Sequence, residues 1–212
     1  MKFNEDMLTL YAVTDRHWTG QLTLYQQVEL ALQGGVTMVQ LREKDLSKAE
    51  IITQAKELKR LCRRYDVPLI INDSADIALE VGADGVHLGI EDAAVAEVRK
   101  IAGKDFIIGA TAKTVEQAKA AQAAGADYLG VGAVFPSPTK QNAIRITAEQ
   151  LKEICGSVDI PAVAIGGIDL HNMDGRKGGG MKGFAVVSAI FGAEDIKAAA
   201  EKMKEKAQEL CR

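Results

Sequence analysis

Residues 81–89 read VGADGVHLG, and the same shape recurs in QGGVTMVQL (33–41), AGADYLGVG (124–132) and GGMKGFAVVS (179–188). Each carries a glycine, a short turn and an apolar run, at a period of roughly 45 residues, as repeated supersecondary units do. The glycine ends a helix and a buried strand follows. Working outward from these, further runs appear at LYAV (10–13), LII (69–71), FIIGA (106–110) and AVAIG (162–166). MVQL (38–41), GVHLG (85–89), YLGVGAVF (128–135) and FAVVSAI (184–190) complete the set. All are too short for helices and rich in Val and Ile, as buried parallel strands are.

Between the runs lie segments of helical character. TVEQAKAAQAA (114–124) closes on Gly125, and DIKAAAEKMKEKAQEL (195–210) opens on Asp195, a residue able to cap a helix. Eight strands alternating with helices predict an α/β fold, a (β/α)₈ TIM barrel, as a single catalytic domain over 1–212. An open doubly wound sheet uses the same elements and is the alternative.

Composition narrows the partners. The chain has 212 residues, 47% hydrophobic and 26% charged, with a formal net charge of -3. No broad basic face is needed, which argues against nucleic acid and for small-molecule substrates met by local positive charge. Cys62, Cys155 and Cys211 lie far apart without metal or redox spacing, as expected of free thiols in a reducing compartment. No leader is visible in MKFNEDMLTL and no apolar stretch is long enough for a membrane span, so the expectation is a cytoplasmic protein. A homo-oligomer is compatible with this composition.

The reactive residues of such a barrel sit at the C-terminal ends of its strands. In VQLREKD (39–45) an apolar run ends in four charges. Strand alternation would send Gln40, Arg42 and Lys44 one way and Leu41, Glu43 and Asp45 the other. Arg42 and Lys44 then offer a fork and a point charge suited to a phosphate-rich ligand, or a structural salt bridge. LIINDSADIA places Asn72 and Asp73 after strand three, and GVHLGIED places Glu91 and Asp92 after strand four. Carboxylates on adjacent strand ends facing phosphates suit Mg²⁺, although capping of the next helix is an ordinary use of Asp. AVFPSPTKQNA (133–143) presents Ser137, Thr139 and Lys140 on a proline-stiffened loop, as a ligand clamp. AIGGI (164–168) and VVSAI (186–190) bring Gly167, Val187 and Ser188 to the usual barrel phosphate site, with tight packing as the plainer reading. His87 reads as a satisfied interior residue, while His17 and His171 lack metal-ligand spacing. RKGGGMKG (176–183) lacks the P-loop pattern and reads as a flexible connection.

LYAVTDR, QLREK, INDSADIALEVGADGVHLG, GADYLGVGAVFPSPTK, AIGGI and VVSAI, in this order across nearly the full chain, resemble the thiamine phosphate synthase family. The resemblance implies a transferase of the alkyl/aryl-transferring class in thiamine biosynthesis. It implies substrate contacts from Gln40, Arg42, Lys44, Asn72, Thr111, Ser137, Thr139, Lys140, Gly167, Val187 and Ser188. Arg42, Lys44 and Lys140 would act on the pyrophosphate, Asp73 and Asp92 on Mg²⁺, and Thr111 on the pyrimidine side. The chain departs from the family pattern at Ile90, at Lys113 and in HNMDGRKGGGMKG (171–183). The implied reaction joins 4-amino-2-methyl-5-hydroxymethylpyrimidine diphosphate to 4-methyl-5-(2-phosphoethyl)thiazole, by loss of pyrophosphate before attack by the thiazole nitrogen. A thiazole tautomerase of the same superfamily, which needs a general base, and a non-catalytic phosphate sensor are the rivals.

Overall fold

A computed structural model describes residues 2–89, 95–136 and 144–211. The apolar runs form eight strands: β1 Leu10–Val13, β2 Met38–Leu41, β3 Leu69–Asn72, β4 Gly85–Leu88, β5 Ile107–Ala112, β6 Tyr128–Gly132, β7 Ala162–Ile165 and β8 Gly183–Val186. Each pairs in parallel with its neighbour in the chain, and β8 returns to β1 with Leu10 opposite Phe184 and Ala12 opposite Val186. That last ladder closes a TIM barrel and excludes the open sheet.

Strand alternation sorts the side chains into two cores. Leu10, Ala12, Val39, Leu41, Leu69, Ile71, Leu129 and Val131 face outward, against the helices. Tyr11, Val13, Met38, Ile70, Ile107, Tyr128, Val163 and Ala185 fill the interior. Burying an aliphatic side chain of this size stabilises by ~1.5–3 kcal/mol, so both faces hold the strands in register. A shift by one residue would put the helix-facing set inside.

Among the described residues the helices are α1 Leu24–Gln33, α2 Lys48–Arg64, α3 Ala75–Val81, α4 Val95–Ala102, α5 Val115–Ala123, α6 Ala148–Gly156, α7 Ser188–Phe191 and α8 Ile196–Leu210. Their starts are written locally. Thr23 with Gln26, Ser47 with Glu50 and Thr147 with Gln150 form reciprocal capping boxes at α1, α2 and α6. Asp195 accepts from Ala198 N–H and caps α8. Gly125 follows α5 at φ +95°, a conformation that favours glycine. None of these helices is long and apolar enough to cross a membrane.

Three sequence expectations are corrected. The runs 128–135 and 184–190 overshoot: β6 stops at Gly132 and β8 at Val186, after which Val187 (φ −120°, ψ −84°) leads into α7. Similarly, β2 stops at Leu41, so the alternation expected for Arg42 to Asp45 has no ladder to impose it. The glycine-rich connection between β7 and β8 is packed rather than a flexible link. It opens with a 3₁₀ turn at Met173–Arg176, buries Met173 and Met181, and is tied to α8 by Lys206 Nζ on Asp174 Oδ1 at 2.6 Å. Its glycines supply the positive φ of Gly178 and Gly180, which a regular helix would not need.

Candidate active site

Beyond β2 the charges diverge instead of forming one line. The Arg42 N–H donates to Thr14 Oγ1 at 3.0 Å, and Thr14 N–H donates to Gln40 O at 2.9 Å, lacing the ends of β1 and β2 together. Arg42 Nη1 lies 3.4 Å from Asp15 Oδ2, on the β1 side. Lys44 Nζ donates to Asp73 Oδ2 at 2.5 Å, on the β3 side. Glu43, with its side chain nearly sealed from water, receives Arg16 Nε at 3.2 Å and Nη2 at 3.1 Å. The mouth over β1, β2 and β3 therefore holds two separate ion pairs, Arg42 with Asp15 and Lys44 with Asp73. Asp15 and Thr14 were not singled out in the sequence. The signal was the TDR following LYAV, the same apolar-then-charged pattern that marked VQLREKD.

Asp73 adopts φ +64°, a left-handed conformation that aspartate tolerates better than most side chains. Its N–H donates to His87 O at 2.9 Å, which seats it over the end of β4, and Asn72 stands in register with His87. The N-cap position of α3 falls on Ser74, not on Asp73. Magnesium needs only one or two carboxylates when phosphates complete its shell, so Asp73 suits it as a hard oxygen donor. Its intended companion Asp92 lies outside the described residues. Among the described residues no three His, Cys, Asp or Glu side chains gather as a metal cage.

Below this rim the interior is polar but uncharged. Gln40 Nε2 donates to Tyr11 Oη at 2.7 Å. Tyr11 Oη lies 2.8 Å from Tyr128 Oη, which lies 3.1 Å from His87 Nδ1. His87 Nε2 in turn lies 3.1 Å from Thr111 Oγ1. Burial pushes the His87 imidazolium down to about 4, against the opposing pull of the Asp73 charge, so the ring is neutral near pH 7. Burial also pushes both phenols up; for Tyr11 the hydrogen bonds to Tyr128 and Gln40 oppose it. The expected interior role of His87 is found here, while Tyr11 and Tyr128 were read only as parts of apolar strands. Gly109 and Gly130 mark their place. A Cβ on Gly109 would fall 2.2 Å from Tyr128 Cζ, and one on Gly130 2.9 Å from His87 Cε1.

The opposite side of the mouth belongs to β6, β7 and β8. Gly166 (φ +101°) and Gly167 (φ +65°) cross closely beneath the β6 loop, where a Cβ on Gly167 would fall 2.1 Å from Pro136 O. Packing alone thus requires that glycine, whatever binds beside it. Val187 and Ser188, both half-buried, stand at the start of α7. Arg176, overlooked in the glycine-rich stretch, stacks its guanidinium 4.0 Å from the Phe135 ring centre and donates to Val134 O at 2.5 Å. Ser137, Thr139 and Lys140, like Ile90, lie outside the described residues.

A closed barrel of this kind, with cations, a carboxylate and a neutral polar floor gathered at the C-terminal ends of its strands, has the build of a TIM-barrel enzyme that handles anionic substrates. The family model described as thiamine monophosphate synthase matches residues 10–190. A thiamine-phosphate synthase of Ruminiclostridium cellulolyticum is 50% identical over 197 residues, covering 93% of this chain and 94% of the relative. One from Clostridium tetani is 49% identical over 195 residues, covering 92% and 93%. The solved thiamine phosphate pyrophosphorylase from Pyrococcus furiosus superposes with a TM-score of 0.90 at 40% identity, covering 98% of this chain and 99% of that one. The chain belongs to the thiamine monophosphate synthase family, and is a transferase of thiamine biosynthesis.

Proposed function

We propose that this protein condenses 4-amino-2-methyl-5-hydroxymethylpyrimidine diphosphate with 4-methyl-5-(2-phosphoethyl)thiazole, giving thiamine phosphate and pyrophosphate in a Mg²⁺-dependent, dissociative displacement. The observation that carries the reading is the placing of Arg42, Lys44 and Asp73 at the ends of the adjoining β2 and β3, with Lys44 on Asp73 and Arg42 beside Asp15, above the neutral Gln40–Thr111 floor. Cations belong where a diphosphate departs, and an uncharged floor belongs under an aminopyrimidine that takes on positive charge.

Arg42 and Lys44 grip the diphosphate and stabilise the negative charge that grows as the carbon–oxygen bond breaks. Lys140 joins them, and Gln40, Asn72 and Thr111 hold the pyrimidine. Asp73 and Asp92 would hold Mg²⁺, which when bound offsets phosphate charge. Lys44 is held by Asp73, which keeps its ammonium beside the end of β3. Ser137, Thr139, Gly167, Val187 and Ser188 position the thiazole phosphate. The thiazole nitrogen carries no proton, so the reaction asks for no base. His87 agrees with this: both its nitrogens are engaged and burial makes it a weak base. A tautomerase would need the opposite.

The deciding assay gives purified protein both substrates with Mg²⁺ and omits each component in turn. Thiamine phosphate and pyrophosphate should form only in the complete mixture. No product from both substrates would sink the reaction, and undiminished turnover in excess chelator would sink the metal.

A further inference from the structure

The buried chain from Gln40 to Thr111 has a direction, and the direction follows from counting protons. The amide nitrogen of Gln40 can only donate, so Tyr11 Oη accepts from it at 2.7 Å. Tyr11 has one hydroxyl proton and places it on Tyr128 Oη, 2.8 Å away. Tyr128 has then received a proton donor and must direct its own proton to His87 Nδ1 at 3.1 Å. Nδ1 is thereby the acceptor nitrogen, and the ring proton resides on Nε2, which donates to Thr111 Oγ1 at 3.1 Å. A doubly protonated ring would force Tyr128 to donate back to Tyr11, leaving the Tyr11 proton without a place in the chain. With Gln40 Nε2 as the donor at the start, one arrangement alone gives both phenolic protons an acceptor within the chain.

We propose that Tyr11, Tyr128 and His87 are a positioning relay that fixes His87 as the Nε2–H tautomer and turns the Thr111 hydroxyl proton toward the barrel mouth. The relay leaves an acceptor, Gln40 Oε1, outside the chain at the β2 end and a donor, the Thr111 hydroxyl, at the β5 end. This suits a ring that shows an N–H toward β2 and a nitrogen lone pair toward β5, which is the chemistry of an aminopyrimidine. An oxo-pyrimidine, with those polarities exchanged, would face a mismatch at both ends. The assignment to a pyrimidine rests on the reading under Proposed function; the direction of the relay does not.

The surroundings are built for it. Gln40, Tyr11, His87 and Tyr128 are buried, while Thr111, at the mouth end, is only partly so. The inward positions of β5 and β6 beside the relay are glycines. A Cβ on Gly109 would fall 2.4 Å from Tyr128 Oη and 2.5 Å from His87 Nδ1, on the very bond that sets the tautomer. No other described polar side chain appears in the hydrogen bonds of the two phenols.

The test reads the tautomer in the ligand-free protein by long-range ¹H–¹⁵N correlation of ¹⁵N-histidine-labelled protein, assigned with His87→Gln. Wild type should show protonated Nε2 and bare Nδ1. Tyr128→Phe removes the donor to Nδ1, so the ring should leave that single state. The KM for the pyrimidine diphosphate should rise roughly three- to tenfold, the worth of one hydrogen bond, with the thiazole-phosphate KM changing less than about twofold. Tyr11→Phe, a second variant that keeps Tyr128 and its bond to His87, frees the direction of that bond and should give a mixture of tautomers. A wild-type ring protonated on Nδ1, or a tautomer unmoved by both variants, overturns the relay whatever the kinetics. An Nε2–H ring that both variants disturb, in a protein that does not turn over the pyrimidine diphosphate, supports the relay and sinks the substrate reading instead.

Discussion

The rim of the barrel and the floor just beneath it are both polar, yet they are built on opposite principles. On the rim, the ionisable side chains of Arg42, Lys44, Asp15 and Asp73 reach water, with Arg42 beside Asp15 and Lys44 on Asp73. On the floor, Gln40, Tyr11, Tyr128 and His87 are sealed, uncharged and bonded in series. Burying an unpaired charge is far costlier than burying a paired hydroxyl. Charge is therefore kept where water or a ligand can reach it, and polarity without charge goes below. In the proposed reaction the rim would serve binding and chemistry, and the floor shape and orientation. Substitutions on the two layers should fail in different ways.

The largest effect belongs to the rim. Arg42→Ala removes the guanidinium that the proposed reaction sets against the departing diphosphate. Turnover per KM should fall by about 10²–10³, the scale of one preorganised charge-stabilising group. Because its partner Asp15 is itself within reach of water, thermal stability should change by less than about 1 kcal/mol. Steady-state kinetics beside a melting curve check both halves. A variant that melts far below wild type would mean that Arg42 is chiefly a structural tie between β1 and β2.

The floor should show itself in pH dependence. His87 in the folded protein sits at about 4, pushed there by burial, while in the unfolded chain it returns to the ordinary imidazole range near 6.5. Between those values the unfolded state binds a proton that the folded state refuses. Stability is therefore fully present above about 6.5 and is lost as pH falls toward 4, by on the order of 3 kcal/mol. Urea midpoints measured from pH 7 down to pH 4, with His87→Gln alongside to subtract the carboxylates that titrate at the lower end, test this. If the two proteins lose stability in parallel, His87 is not the buried neutral group described here.

The two layers also differed in how far the sequence revealed them. The barrel was legible because each buried parallel strand leaves a Val- and Ile-rich run and each helix start leaves a cap, as at Asp195. Arg42, Lys44 and Asp73 were legible for the same local reason: charges directly after an apolar run announce a strand end. What local pattern could not supply was the partner. Lys44 meets Asp73 and Arg42 meets Asp15 only because the barrel brings β3 and β1 beside β2. The floor was the least legible, since Tyr11 and Tyr128 look like any aromatic in a buried strand and meet across 117 positions. The hint lay in parity: Tyr11, His87, Thr111 and Tyr128 all fall on inward positions, with Gly109 and Gly130 as the gaps that admit them. Arg176 escaped because its glycine-rich setting suggested looseness, whereas its guanidinium is seated on Phe135.

The smallest effect concerns Lys44 and Asp73 as a pair. Their contact is short, yet the Lys44 side chain is 51% exposed and that of Asp73 32%. Water screens such a pair, and holding a long lysine side chain costs rotamer freedom. A double-mutant cycle with Lys44→Met and Asp73→Asn should give a coupling of only ~0.2–1 kcal/mol in unfolding, shrinking further in high salt. In turnover each single variant should be severely impaired, and the losses should not add if both groups address one diphosphate, as proposed. A large, salt-insensitive coupling in unfolding would place this pair with the sealed floor. The division of the mouth into a hydrated charged layer and a dry neutral one would then fail at the residue where the two meet, since Asp73 is also bonded through its N–H to the carbonyl of His87.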